Sequence, residues 1–292
     1  MKIIGGPASQ LLAHRVSRIL KAPIVNVEHK IFPDSESYLR IMEDVQDEDV
    51  AIIQTTSPPQ EERLIQLLLL ADGVKDLGAR SITAIVPYLA YSRQDKRFMS
   101  GEVVSVISVL KIIDAIGVDK LVTVNVHNLN ALSSIMKIYD LSAISLIAEY
   151  MKEMGLEGAF SLAPDIGAID IVKESASVLG GGFDWLEKTR DRVTGKITIR
   201  EKVLDVKGKD AIVFDDMIST GGTTSSAVGI LKKQGAKRVY AACVHPLMIG
   251  NAKDRIINSG AEKIIGTDTV PGPYAVISVA SIIAEALKQG GG

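Results

Sequence analysis

The sequence predicts an α/β protein built from two similar domains, each a mainly parallel sheet flanked by helices. Three observations carry that expectation. Short β-branched runs alternate with longer helical patterns along the chain. A stretch in the second half repeats one in the first, and one strand ends in a carboxylate pair followed by a glycine-rich loop and a helix. Strand, helix and strand in succession build parallel layers, because parallel neighbours need a crossover between them.

Residues 51–54, 81–86, 120–124, 159–163, 211–214 and 238–244 read as buried strands. Residues 61–77 set Leu64, Leu67, Leu68 and Ala71 on one helical face, and residues 103–116 and 223–234 are further helices. Gly78-Ala79-Arg80-Ser81-Ile82-Thr83-Ala84-Ile85-Val86-Pro87 lines up with Gly235-Ala236-Lys237-Arg238-Val239-Tyr240-Ala241-Ala242-Cys243-Val244. The glycine at each helix end suits a left-handed cap. Two ordinary helix-to-strand turns would give the same likeness, but duplication of a domain is the preferred explanation. The boundary falls near residues 140–145, giving an N-terminal domain of 1–143 and a C-terminal domain of 144–277 that opens with a helix at 145–154. Residues 278–288 read as another amphipathic helix, able to pack back on the first domain, and the closing glycines read as frayed.

A chain of 292 residues exceeds the usual size of one compact domain. Apolar residues at 47% and charged residues at 23% suit filled cores rather than disorder. With 33 basic and 35 acidic residues the net charge is -2, so no global field favours nucleic acid or an anionic membrane, and any anion site must be local. No apolar run approaches the roughly 18 residues that span a bilayer, and the start is too short and too soon broken by glycine for a signal peptide. The single Cys243 excludes an internal disulfide and fits a cytoplasmic setting.

The stretch Ala211-Ile212-Val213-Phe214-Asp215-Asp216-Met217-Ile218-Ser219-Thr220-Gly221-Gly222-Thr223-Thr224 carries most of the chemistry. Glycines let several amides turn inward, the hydroxyls of Thr220, Thr223 and Thr224 add donors, and the helix that follows presents its positive end. A phosphate monoester fits such a loop. Asp215 and Asp216 sit where open α/β sheets bind ligands and can accept hydrogen bonds from vicinal sugar hydroxyls. The bland alternative is a turn in which Thr223 caps the helix. No lysine follows the glycines, so this is not a Walker A loop.

The carboxylate pair followed by Thr-Gly-Gly-Thr resembles the phosphoribosyl diphosphate loop of the type I phosphoribosyltransferase fold. That resemblance implies that both domains have this fold and that Asp215, Asp216, Ser219, Thr220, Gly221, Gly222, Thr223 and Thr224, together with Arg190, bind ribose 5-phosphate. At the corresponding point of the first half stands Gln54-Thr55-Thr56-Ser57-Pro58-Pro59, where prolines remove amide donors, so that clasp is expected to be degenerate.

Further segments narrow the resemblance to the ribose-phosphate pyrophosphokinases, over nearly the whole chain. Pro87 to Arg97, with Arg93, Gln94, Asp95 and Arg97, looks like that family's ATP-binding loop. Phe32-Pro33-Asp34-Ser35-Glu36 resembles a second nucleotide loop, which in the family reaches the ATP of a neighbouring subunit; Ser35 replaces the usual glycine and restricts positive φ. That implies a homodimer or larger assembly. Asn125-Val126-His127 resembles an Asp-x-His metal element, making His127 a candidate for Mg2+, while Asn125 departs from the pattern and loses a carboxylate. Asp165, in Ser161-Leu162-Ala163-Pro164-Asp165-Ile166-Gly167-Ala168, is the second metal candidate; taken alone it reads as a helix-capping residue.

Glu187-Lys188-Thr189-Arg190 follows a strand near residues 183–186 and precedes a β-like run at 196–199. It resembles the family's mobile catalytic flap. Lys188 and Arg190 alternate, so an extended chain puts both on one face; Asp191 and Arg192 receive no role. The resemblance implies an ATP-dependent transfer of diphosphate to ribose 5-phosphate, with Mg2+. The alternatives are a phosphoribosyltransferase, which would share the Asp215–Thr224 loop, and a non-catalytic regulatory relative of the synthetase.

Overall fold

The computed structural model describes residues 1–129, 132, 135–190, 197–199 and 202–289, with the backbone alone for 188–190 and 197–199. The chain divides into two compact units: Met1–Ser142 with Thr269–Pro271 and the chain from Ser278 onward, and Ala143–Asp268 with Gly272–Ile277.

In the first unit, β1 (Lys2–Gly5), β2 (Ile24–Val25), β5 (Asp49–Ile53), β6 (Ser81–Val86), β7 (Lys120–Val124) and β8 (Ile138–Leu141) form one sheet in the order β2-β1-β5-β6-β7-β8. Every pairing in it is parallel. Helices α1 (Gln10–Leu20), α2 (Gln60–Asp76) and α3 (Ser105–Ile116) cross over between strands. Because a sheet covered on both faces buries both sets of side chains, Ile52, Ile53, Leu67, Leu110 and Leu121 are all fully buried. Each contributes about 1.5–3 kcal/mol relative to exposure. A separate antiparallel hairpin, β3 (Val27–Ile31) and β4 (Ser37–Ile41), packs on α2.

The second unit repeats this plan. After α4 (Ile144–Glu153) come β9 (Phe160–Ala163), α5 (Ile169–Leu179) and β10 (Phe183–Trp185). A hairpin of β11 (Lys188–Arg190) and β12 (Ile197–Ile199) follows, then β13 (Ala211–Ile218), α6 (Gly222–Lys233), β14 (Val239–Pro246), α7 (Ala252–Asn258), β15 (Ile264–Thr267) and β16 (Ala275–Ile277). The sheet order is β10-β9-β13-β14-β15-β16, again wholly parallel. With each hairpin left out, both sheets read second, first, third, fourth, fifth, sixth. The chain returns to the first unit with α8 (Ala280–Gln289), packed on α1; the closing glycines lie outside the described residues.

The repeat extends to side chains at the start of the third and fourth strands of each unit. Arg80 forks onto Asp49 in the first, and Arg238 onto Asp210 in the second. The Arg80 guanidinium, helped by the Ser81 hydroxyl, pulls the Asp49 carboxyl down to about 2. Gly78 and Gly235 take φ of 80° and 85° at equivalent helix-to-strand turns, accepting from the amides of Asp47 and Gly208.

Of the boundaries that differ from the sequence reading, two have a physical reason visible in the structure. The β13 strand runs on to Ile218, because β14 is equally long and keeps the ladder paired through Asp215↔Cys243 and Met217↔His245. Helix α3 starts at Ser105 rather than 103, because the Glu102 carboxylate ties the Phe98 and Met99 amides into a turn just before it.

Candidate functional site

The second unit carries the glycine-rich loop of residues 219–224. Asp215 and Asp216 lie within the second half of β13, not beyond it. The Asp216 amide donates to Asp215 Oδ1 at 3.0 Å and the Met217 amide to Asp216 Oδ1 at 2.6 Å, so each carboxylate is folded back on the next amide. Burial first, then the Asp216 charge and further off Asp165, push the Asp215 carboxyl well above the ordinary range. Two acids crowded this way favour an arriving cation or hydroxyl donor.

Gly221 caps α6 with φ 72° and, being glycine, makes no side-chain cap bond; Thr223 lies inside the helix, so the bland reading of Thr223 as cap does not hold. A Cβ on Gly221 would stand 3.0 Å from Ile256 Cδ1 and 3.1 Å from the Ala252 carbonyl, so close packing by α7 requires glycine as much as the backbone does. The first intrahelical bond runs from Ser225 N to Gly221 O, placing the amides of Gly222 and Thr224 ahead of the ladder. The Met248 and Ile249 amides brace the loop through the carbonyls of Ile218 and Ser219. Thr220 is exposed and Ser219 and Thr223 half-buried, whereas Thr224 is 2% exposed and heads the core stripe with Ala227, Val228 and Leu231.

Asp165 caps the short helical turn Ile166–Ala168, accepting from the Gly167 amide at 2.9 Å. Lys188 and Arg190 lie in β11, extended and paired with β12 as Lys188↔Ile199 and Arg190↔Ile197; their side chains, and Asp191 and Arg192, are outside the description.

The first unit's loops gather at the carboxyl ends of β6 and β7. Arg93 and Arg97 are exposed, Gln94 and Asp95 half-buried. The Arg97 Nε donates to the Glu102 carbonyl, and Gln94 Nε2 to the Lys96 carbonyl. Asn128 Nδ2 donates to Asp95 Oδ2 at 2.5 Å, tying this loop to the turn that bears the exposed His127. Asn125 takes φ 43°, a region asparagine tolerates. Phe32–Glu36 forms the tip of the β3–β4 hairpin: Phe32 N donates to Glu36 O, Glu36 N to Asp34 Oδ1, and Ser35 adopts φ 75° despite its side chain.

At the strand end equivalent to the second unit's loop, residues 54–57 are wholly buried and bonded internally. Thr56 Oγ1 donates to Tyr88 O, Thr55 Oγ1 to Thr269 O, Gln54 Nε2 to Gln66 Oε1, and Arg63 to Ser57 Oγ. The polar side chains of this strand end are thus bonded within the protein.

Two side chains near these sites carried no sequence signal. Asp140, read only as a boundary residue, accepts from Thr123 Oγ1 and the Val126 amide, bracing the approach to His127. Arg255 of α7 lies with Nη1 3.4 Å from where a Gly222 Cβ would be, beside the start of α6. Both contacts join segments far apart in the chain. Among the described residues no cluster of three or more His, Cys, Asp or Glu could by itself hold a metal ion, and no helix is long and apolar enough to cross a membrane.

Doubled parallel sheets with a glycine-turned helix start beside paired carboxylates define an α/β protein suited to phosphorylated ligands. The profile described as the N-terminal domain of ribose phosphate pyrophosphokinase matches residues 1–117, and that of the phosphoribosyl synthetase-associated domain matches residues 191–289. A ribose-phosphate pyrophosphokinase of Saccharolobus solfataricus is 44% identical over 92% of this chain and 93% of its own. One from Methanothermobacter thermautotrophicus is 43% identical over 98% of this chain and all of its own, 100%. The solved phosphoribosylpyrophosphate synthetase of Mycobacterium smegmatis superposes with a TM-score of 0.87 at 29% identity, covering 98% of this chain and 97% of that one. The chain belongs to the ribose-phosphate pyrophosphokinase family.

Proposed function

We propose that this enzyme transfers the β,γ-diphosphate of ATP to the anomeric hydroxyl of ribose 5-phosphate, giving 5-phosphoribosyl 1-diphosphate and AMP. The hydroxyl oxygen bonds to the β-phosphorus, the oxygen bridging to the α-phosphorus leaves with AMP, and the hydroxyl proton is lost. The observation that carries this reading is the Asp215–Asp216 pair leading into the helix start at Gly221.

In this reading the amides of residues 219–224 hold the 5-phosphate, Arg255 adds charge beside them, and Asp215 and Asp216 take the ribose hydroxyls. Thr224 contributes by packing beneath the loop. Arg93, Gln94, Asp95 and Arg97 serve ATP, and Lys188 and Arg190 meet the charge that develops during transfer. With residues 54–57 buried and bonded internally, one clasp per chain remains for the sugar phosphate.

The Asp165 carboxylate suits Mg2+, which commonly takes one or two carboxylates and completes its shell with phosphate oxygens and water. Asp165 is the candidate ligand in the second unit and His127 the candidate in the first, and the chemistry Mg2+ would supply is cancellation of phosphate charge. Placing Phe32–Glu36 on its own hairpin supports service to the ATP of a second copy, hence a homodimer at least. The lone buried Cys243 supports a cytoplasmic setting.

The test supplies ATP, Mg2+ and ribose 5-phosphate without any base. Equal release of AMP and phosphoribosyl diphosphate supports the reading; release of ADP, or a requirement for a base, overturns it.

A further inference from the structure

The β11–β12 hairpin forms a two-stranded sheet separate from the six-stranded one, and a lone two-stranded ribbon is marginal in water. Its base is tied instead. Asp184 and Trp185 close β10 just ahead of it, and Lys202 stands where the described chain resumes after it. Lys202 Nζ donates to Asp184 Oδ1 at 2.5 Å and sits 4.4 Å from the centroid of the Trp185 ring. The pair is partly withdrawn from water, with side-chain exposures of 36% for Lys202 and 19% for Asp184, which strengthens both the ion pair and the cation–π contact.

A second tie joins this base to α6. The residue after that helix, Gln234, donates from Nε2 to the Lys202 carbonyl at 2.8 Å and accepts at Oε1 from the Leu204 amide at 2.8 Å. The first turn of the same helix forms the Gly221–Thr224 loop. The two ends of one rigid rod therefore hold the sugar-phosphate loop and the foot of the hairpin.

We propose that Lys202, held by Asp184, Trp185 and Gln234, is a positioning residue that sets where Lys188 and Arg190 stand relative to the sugar-phosphate loop. This rests on the transfer reaction proposed above. Placement matters at this level because a shift of about 1 Å at reacting groups costs up to about a hundredfold in rate.

The test uses the full-length protein with Lys202→Met and Lys202→Arg, following AMP release and the emission of Trp185, the chain's single tryptophan. Lys202→Met is expected to lose about tenfold or more in kcat, with KM for ribose 5-phosphate changed less than about twofold, and to shift Trp185 emission. Lys202→Arg, which keeps both the ion pair and the stacking, should restore most of the rate and the wild-type emission. If Lys202→Met does not fold, Gln234→Leu carries the same kcat-against-KM comparison. Wild-type kcat in the Met or Leu variant, or a loss that Arg does not rescue, overturns the inference. Absence of AMP release from the wild type would instead overturn the proposed reaction, so the two failures are distinct.

Discussion

The side-chain amide of Asn128 donates to the carboxylate of Asp95 at 2.5 Å, joining the loops that leave two adjacent parallel strands. A hydrogen bond to a charged group contributes about 1.5–3 kcal/mol. Asn128→Ala is therefore expected to raise KM for ATP about tenfold or more, leaving KM for ribose 5-phosphate unchanged, because Asp95 loses its fixed orientation. Steady-state kinetics with each substrate varied in turn check this, and an equal rise in both constants would contradict it.

The Asp215 carboxyl is raised in the folded state by burial and by Asp216. A raised carboxyl adds stability that is complete below the unfolded value near 3.8 and is lost as pH rises through the folded value. Asp215→Asn fixes the neutral form while keeping an acceptor for the Asp216 amide. The variant should melt higher than wild type at pH ~8, by about 2–4 °C per kcal/mol relieved, with the difference closing near pH ~4. It should also lose activity. Calorimetry at both pH values decides, and an Asn variant no more stable at the higher pH would contradict the account.

Ser35 holds φ 75° at the hairpin tip. Glycine there relieves a strain of about 1 kcal/mol but costs about 0.5–1 kcal/mol in chain entropy, so Ser35→Gly should leave stability nearly unchanged. Ser35→Val cannot take that conformation cheaply. It is expected to raise KM for ATP with little effect on melting, read from paired kinetic and thermal measurements.

Lys188→Ala should lower kcat by about a hundredfold to a thousandfold, roughly 3–4 kcal/mol, with ribose 5-phosphate affinity retained. Single-turnover measurement and direct titration of the sugar phosphate separate the two. Near-normal turnover would remove Lys188 from the reaction.

The duplicated architecture was legible because it is written in local patterns: β-branched runs, amphipathic helices, and the Gly78 and Gly235 turns, which fall at the same place in both sheets. The Asp215–Thr224 loop was legible as a motif, yet its strand runs to Ile218 because register with β14 is a property of two segments rather than one. The prolines at 58 and 59 showed that this strand end lacks amide donors, but nothing local showed that Gln54, Thr55 and Thr56 are hydrogen-bonded within the protein. Asp140, Arg255 and the Lys202–Trp185 contact were invisible for the same reason: each joins residues distant in sequence, and nothing local in the chain marks the partner.

The most direct measurement supplies ribose 5-phosphate carrying heavy oxygen at the anomeric hydroxyl, with ATP and Mg2+, and weighs the products. The account predicts AMP without the label and phosphoribosyl diphosphate that retains it in the bridge to the diphosphate. Label found in AMP, loss of label from the phosphoribosyl product, or no phosphoribosyl diphosphate at all would contradict it.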